Sequence, residues 1–184
     1  RAMAAAFRPT LVLLGRSRAD GVVRLRNVEA GFAPCSFRVD IAIPPAPKGD
    51  WSNYVRGAAQ MVAHQVGAHV QGMDALVTAA PPFGAPRGAG VSSSSALTVV
   101  SALALAELSG WQPERVPFAR LCSDAEWYVG TRGGIMDQFI SLLAQRGHGL
   151  FLDCQPVGPD EYRFSHVPLP ADYRILVADS GVHH

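Results

Sequence analysis

Pro86-Arg87-Gly88-Ala89-Gly90-Val91-Ser92-Ser93-Ser94-Ser95-Ala96-Leu97 is a glycine-rich turn that runs through four serines into an alanine- and leucine-rich stretch. Its chemistry suits phosphate. Gly88 and Gly90 let the backbone turn tightly and approach a ligand, and a helix starting at the serines offers unpaired N–H groups and the positive end of its dipole. The hydroxyls add donors and a ligand for magnesium. A lysine-bearing phosphate loop is excluded, because the chain's one lysine is Lys48. A dinucleotide fingerprint fails at Ser93, where its third glycine would stand, and an esterase elbow fails because Gly90-Val91-Ser92-Ser93-Ser94 lacks the closing glycine. Taken alone, the segment reads equally well as a Gly/Ser connector with an N-capping serine.

A second segment adds acid groups. In Asp124-Ala125-Glu126-Trp127-Tyr128-Val129-Gly130-Thr131-Arg132-Gly133-Gly134-Ile135-Met136-Asp137-Gln138-Phe139, Glu126 closes one amphipathic helical stretch and Asp137 opens another. The glycine break between them can fold both carboxylates toward one place, one to hold a metal and the other to handle a proton. Each acid alone reads as a solvated or capping residue. Loop and acids together describe a candidate site.

With both segments in hand, the chain resembles the galactokinase branch of the GHMP small-molecule kinases. Pro86 to Leu97 is similar to that family's ATP loop, Pro-x-Gly-x-Gly-Leu-Ser-Ser-Ser-Ala, with Val91 in place of leucine and Ser95 in place of alanine. Glu126 to Phe139 resembles the more specific stretch Glu-x-x-x-x-Gly-x-x-x-Gly-Ile-Met-Asp-Gln-Phe, with three residues rather than four between Glu126 and Gly130. The likeness continues through Ile140-Ser141-Leu142, Gly147-His148 and Leu152-Asp153-Cys154. Asp50 to Gly57 and Asp179 to His184 resemble flanking family segments, so the similarity runs along essentially the whole chain.

Several roles follow from the resemblance. Backbone N–H groups in the loop would wrap the phosphates of ATP, with Pro86, Gly88, Ala89, Gly90, Val91, Ser92, Ser93, Ser94 and Ser95 as the nucleotide-binding set. Ser94 and Glu126 would hold Mg2+. Asp137 would orient and then deprotonate the attacking sugar hydroxyl, and Gly134 would lie beside the sugar. Trp51, with Tyr54, would help form an adenine pocket, although both also read as core aromatics of a helix. A carboxylate is a weak base, which suits orientation and late proton acceptance. The implied activity is phosphorylation of a monosaccharide at the anomeric hydroxyl, galactose first. Kinases of arabinose, fucose or a heptose are alternatives, as is a non-catalytic sensor of sugar and ATP.

The departures carry expectations too. The family's Arg-Val-Asn-Leu-Ile-Gly-Glu-His-Thr-Asp-Tyr type of sugar motif would precede Arg1, and its third glycine-rich motif and C-terminal domain would follow His184. Residues 1–184 are therefore expected to be a GHMP N-terminal domain, a fragment of a larger enzyme or a truncated relative, inactive alone.

Composition narrows the rest. The 184 residues are 48% hydrophobic and carry a formal net charge of +1, enough apolar mass for one core and without the basic run that follows a nucleic-acid backbone. Arg16, Arg18, Arg24 and Arg26 fall on two short strands joined by Ala19-Asp20-Gly21, which would leave most of them on a solvated face. Cys35, Cys122 and Cys154 form no Cys-x-x-Cys pair and are expected to be reduced thiols, Cys122 as a small core residue. No zinc spacing, membrane-length run or secretory core is present, so a cytoplasmic location is the default expectation.

Periodicity predicts strands near Thr10–Leu14, Val22–Asn27, Phe37–Ile43, Asp74–Thr78, Leu150–Asp153, Arg163–His166 and Arg174–Ala178. It predicts helices over Asn53–Val66, Ser95–Leu108, Pro113–Tyr128 and Ile135–Gln145, with a mobile connector at Pro156–Asp160. Segregated strands and helices indicate an α+β fold with helices packed on one side of a mixed sheet. The resemblance implies a ribosomal-protein domain-2-like N-terminal domain.

Overall fold

Alternation of side chains decides which strand faces meet helices. In β3 (Val22–Asn27), Val23 and Leu25 are buried while Arg24 and Arg26 are exposed, and in β5 (Gly72–Thr78) Met73, Ala75 and Val77 turn inward while Leu76 turns out. The computed structural model describes residues 1–7, 10–80, 84, 92–130 and 133–172. Within them, β2 (Val12–Arg18), β3, β4 (Cys35–Arg38) and β5 form a four-stranded sheet in the order β2-β5-β3-β4. Only the β3–β5 pair is parallel, and it registers the buried Val23 against the buried Met73. β1 (Ala2–Ala4), β6 (His148–Gly158) and β7 (Glu161–Pro168) form a second, antiparallel sheet in the order β1-β6-β7.

Four helices complete the fold: α1 (Ser52–Val66), α2 (Ser93–Leu108), α3 (Arg115–Glu126) and α4 (Met136–Leu143). Helix α2 is apolar nearly all round, and such a helix belongs inside: it packs on α1, α3, α4 and the four-stranded sheet. Small residues let the helices approach, among them Ala58 and Ala59 of α1 and Ala102 and Ala106 of α2, all buried. The core runs on through Phe118 of α3 to Phe139 of α4, whose ring meets Tyr162 of β7 edge-on at 5.0 Å. The outer face of the four-stranded sheet stays open among the described residues, with Leu14 71% exposed, so the helices do lie on one side of that mixed sheet.

Two expectations need correction. The strands on either side of Ala19-Asp20-Gly21 are not a hairpin, because β5 is inserted between β2 and β3. Their arginines are mostly solvated, as expected: Arg16, Arg24 and Arg26 are exposed, while Arg18 is partly buried, with ion pairs to Asp20 and Asp74. Pro156–Gly158 is not a connector but the end of β6, which resumes pairing at Gly158–Glu161 after a register shift. The strand expected over Arg174–Ala178, and His183 and His184, lie outside the described residues.

Helix ends lie within two residues of those expected. α2 begins two serines earlier than expected, at Ser93, and α3 gives way after Glu126 to a single tight turn over Trp127–Val129. The three cysteines are free thiols, and burial pushes the Cys122 thiol far above its ordinary range. Among the described residues, no helix is long and apolar enough to cross a membrane.

Candidate active site

The first turn of α2 is the centre of the site. Ser92, immediately before it, has a left-handed backbone with φ of 56°, a region that favours glycine and that non-glycine residues adopt where the surroundings impose it. Ser92, Ser93 and Ser94 are half-buried and Ser95 is buried. Pro86, Gly88, Ala89, Gly90 and Val91 lie outside the described residues. No acidic side chain occupies the first turn, so its N–H groups and dipole are not neutralised from within the helix.

Two cavities open on either side of this turn. One, of about 260 Å³, is lined by Ser93 and Ser94 together with Trp51, Tyr54, Phe32 and Asn27. Trp51 stands just before α1, where its indole N–H donates to the Ala33 carbonyl at 3.0 Å and its ring meets Phe32 edge-on at 5.7 Å. Trp51 and Tyr54 thus pack on the core and also wall a cavity. The other, a groove of about 540 Å³, is lined by Ser92, Ala96, Met136, Asp137 and Phe7 among others. Asp137 lies in the first turn of α4, and the Ser141 hydroxyl donates to its backbone carbonyl at 2.7 Å.

A buried polar cluster sits beneath the turn. Glu126, the last residue of α3, is 8% exposed, and its Oε1 accepts a hydrogen bond from Gln138 Nε2 at 2.7 Å. The same nitrogen lies 3.3 Å from Ser95 Oγ. Burial pushes the Glu126 carboxyl above its usual range; hydrogen bonds from Ser95 and Gln138 pull it back, and the nearby charge of Asp137 raises it further. Gly133 brings only backbone to this acid, since a β-carbon there would stand 4.0 Å from Glu126 Oε2, and Gly134 faces open space.

The glycine break therefore brings Glu126 and Asp137 to one end of α2, as their spacing suggested. Ser94 lines the aromatic cavity, whereas the hydroxyl found in the Glu126 cluster is that of Ser95. Gln138 was not foreseen as a site residue. A polar side chain inside an amphipathic helix carries no periodic signal, and only its place beside Asp137 could have drawn attention to it. Among the described residues, no group of three or more His, Cys, Asp or Glu side chains is arranged around a metal. What is present is a carboxylate with hydroxyls nearby, a sparse hard-oxygen set of the kind that leaves magnesium its waters and phosphate ligands.

Comparison with known proteins gives the chain its relatives. Residues 53–145 match the model of the GHMP kinases N terminal domain. Galactokinase of Streptomyces coelicolor is 37% identical over 174 residues, which cover 91% of this chain and 41% of that protein. Galactokinase of Homo sapiens is 34% identical over 181 residues, covering 94% of this chain and 43% of that protein. The chain thus spans about two-fifths of the length of the relatives it matches. In fold it is similar to Lactococcus lactis galactokinase, solved in complex with galactose, at a TM-score of 0.75 and 24% identity over 89% of this chain and 40% of that one.

Proposed function

The chain belongs to the GHMP kinase family, and from that premise we propose that it is the nucleotide-side N-terminal domain of an ATP-dependent kinase that phosphorylates galactose at its anomeric hydroxyl. The observation that carries this reading is the division of ground at the first turn of α2. Serine hydroxyls and the N–H groups of a helix start stand between an aromatic cavity on one side and a groove holding Asp137 on the other. Adenine is assigned to the cavity of Trp51 and Tyr54, the phosphates to the loop and serines from Gly88 to Ser95, and the sugar to the groove beside Gly134. The relatives' activity supports galactose as the substrate.

The residues present fit a hard divalent cation. Glu126 and Ser94, with Ser95 close to the same carboxylate, would hold Mg2+, and Gln138 Oε1, buried without a hydrogen-bond partner among the described residues, is a further oxygen in the same cluster. When bound, magnesium supplies charge neutralisation at the phosphate oxygens. Asp137 aligns the anomeric hydroxyl, whose oxygen bonds the γ-phosphorus as the bond to the bridging oxygen of ADP breaks. The hydroxyl proton passes to the Asp137 carboxylate late in that step. N–H donors at the start of α2 stabilise charge on the transferred group without having to reorient.

The deciding experiment is ADP release by the full-length protein with MgATP across galactose, arabinose, fucose and a heptose. Preferential turnover of galactose is the expected result. Preference for another sugar would move the substrate, and MgATP binding without turnover of any sugar would replace the kinase with a sensor.

A further inference from the structure

We propose that Gln138 is a positioning residue of this site: its amide clamps the Glu126 carboxylate to the first turn of α2 and presents its own oxygen to the hydration shell of the cation held there. The inference rests on the functional reading above. In its ionised form, the form that binds a cation, the Glu126 carboxylate can only accept, and at 2.7 Å the amide is turned with Nε2 toward it and Oε1 away. Nε2 has two hydrogens and two neighbours, Glu126 Oε1 and Ser95 Oγ at 3.3 Å. One side chain thereby spans the end of α3, the start of α4 and the start of α2.

The remaining oxygen is the informative part. Gln138 is 1% exposed, and its Oε1 has no hydrogen-bond partner among the described residues. An orphaned acceptor inside a core is costly, and a leucine of similar volume would avoid the cost. The amide stands beside a buried carboxylate whose second oxygen, Oε2, lies 4.0 Å from where a β-carbon on residue 133 would be. An acceptor so placed suits a water carried by a cation that keeps several of its waters. Gln138 also adjoins Asp137 in the chain, so the same amide sets where the metal-holding acid stands relative to the acid that orients the sugar.

The test is ATP affinity of the full-length protein with Mg2+ and with chelator, together with thermal melting, for wild type, Gln138→Leu, Gln138→Asn and Glu126→Gln. The Gln138 variants are expected to lose about 10- to 100-fold of the magnesium enhancement, the range typical of partners that orient a metal ligand, with affinity for metal-free ATP preserved. A merely structural role would lower both affinities together, and that outcome overturns the proposal. If the leucine variant fails to fold, the asparagine variant, which keeps the amide but withdraws it by one methylene, decides. Magnesium enhancement lost in Glu126→Gln but intact in both Gln138 variants would sink this inference and leave the kinase reading standing. A wild type without any magnesium enhancement would sink both.

Discussion

Gly57 of α1 lies so close to Ala125 of α3 that the Ala125 carbonyl oxygen occupies the space a β-carbon on residue 57 would need. The contact fixes the end of α3, one residue before Glu126, against the helix that follows Trp51. Glycine is thus required here for backbone approach rather than for an unusual dihedral, since α1 is regular through this position.

Gly57→Ala should therefore destabilise the domain. The gain in helix propensity, about 1 kcal/mol, is outweighed by overpacking against backbone, which costs about 1–3 kcal/mol and more where the neighbour cannot yield. A melting temperature several degrees lower is expected, together with weaker magnesium-dependent ATP binding as Glu126 shifts. A variant that melts at or above wild type would show that α1 and α3 are not in this contact.

At the opposite edge of the fold, Arg18 sets an acid response. Its guanidinium, helped by the Val22 N–H, holds the Asp20 carboxyl down to about 2. For Asp74 burial works upward, but hydrogen bonds from Arg16 and Arg18 outweigh it and its carboxyl is also lowered. A depressed carboxyl adds stability that is fully present above its unfolded value, about 3.9, and is lost as pH falls through the folded value. Carboxyl NMR should give Asp20 a midpoint of about 2 in wild type and a higher one in Arg18→Gln, where the Val22 N–H alone of these two donors remains. A wild-type midpoint near 4 would mean that the pair does not form in solution.

Much of this arrangement was legible in particular residues. Val23 and Leu25 against Arg24 and Arg26 identified a half-buried strand, and the Gly130–Gly134 break between Glu126 and Asp137 identified two helices meeting end to start. Strand neighbours were not legible. Alternation assigns faces rather than partners, so Ala19-Asp20-Gly21 looked like a hairpin turn until β5, from 50 residues downstream in register, was found between its strands. The proline at 156 suggested a connector, yet the irregularity it brings is absorbed by a register shift inside β6. Gln138 was hidden for a different reason: its worth lies in a hydrogen bond to a residue 12 positions away, which no period encodes.

The serine run offers two hydroxyls for one cation. Ser94 is the family-matched ligand, whereas Ser95 is the serine in the Glu126 cluster. Ser94→Ala is expected to reduce ATP affinity with Mg2+ by at least about tenfold while leaving metal-free affinity unchanged. Isothermal titration with Mg2+ and with chelator measures this directly. If Ser94→Ala keeps the wild-type enhancement and Ser95→Ala loses it, the ligand is Ser95.

Asp137 lines the groove from the first turn of α4. Asparagine is nearly isosteric and keeps a hydrogen-bonding group there, so Asp137→Asn should leave folding and MgATP binding intact. It cannot take the sugar's proton, and kcat should fall by about 10²- to 10⁴-fold, the contribution general base groups make. KM for galactose should move far less, because the amide oxygen can still accept from the hydroxyl. Steady-state kinetics on the full-length protein separate the two constants: near-normal kcat would remove Asp137 from the chemistry, and a large rise in KM alone would reduce it to a sugar-binding group.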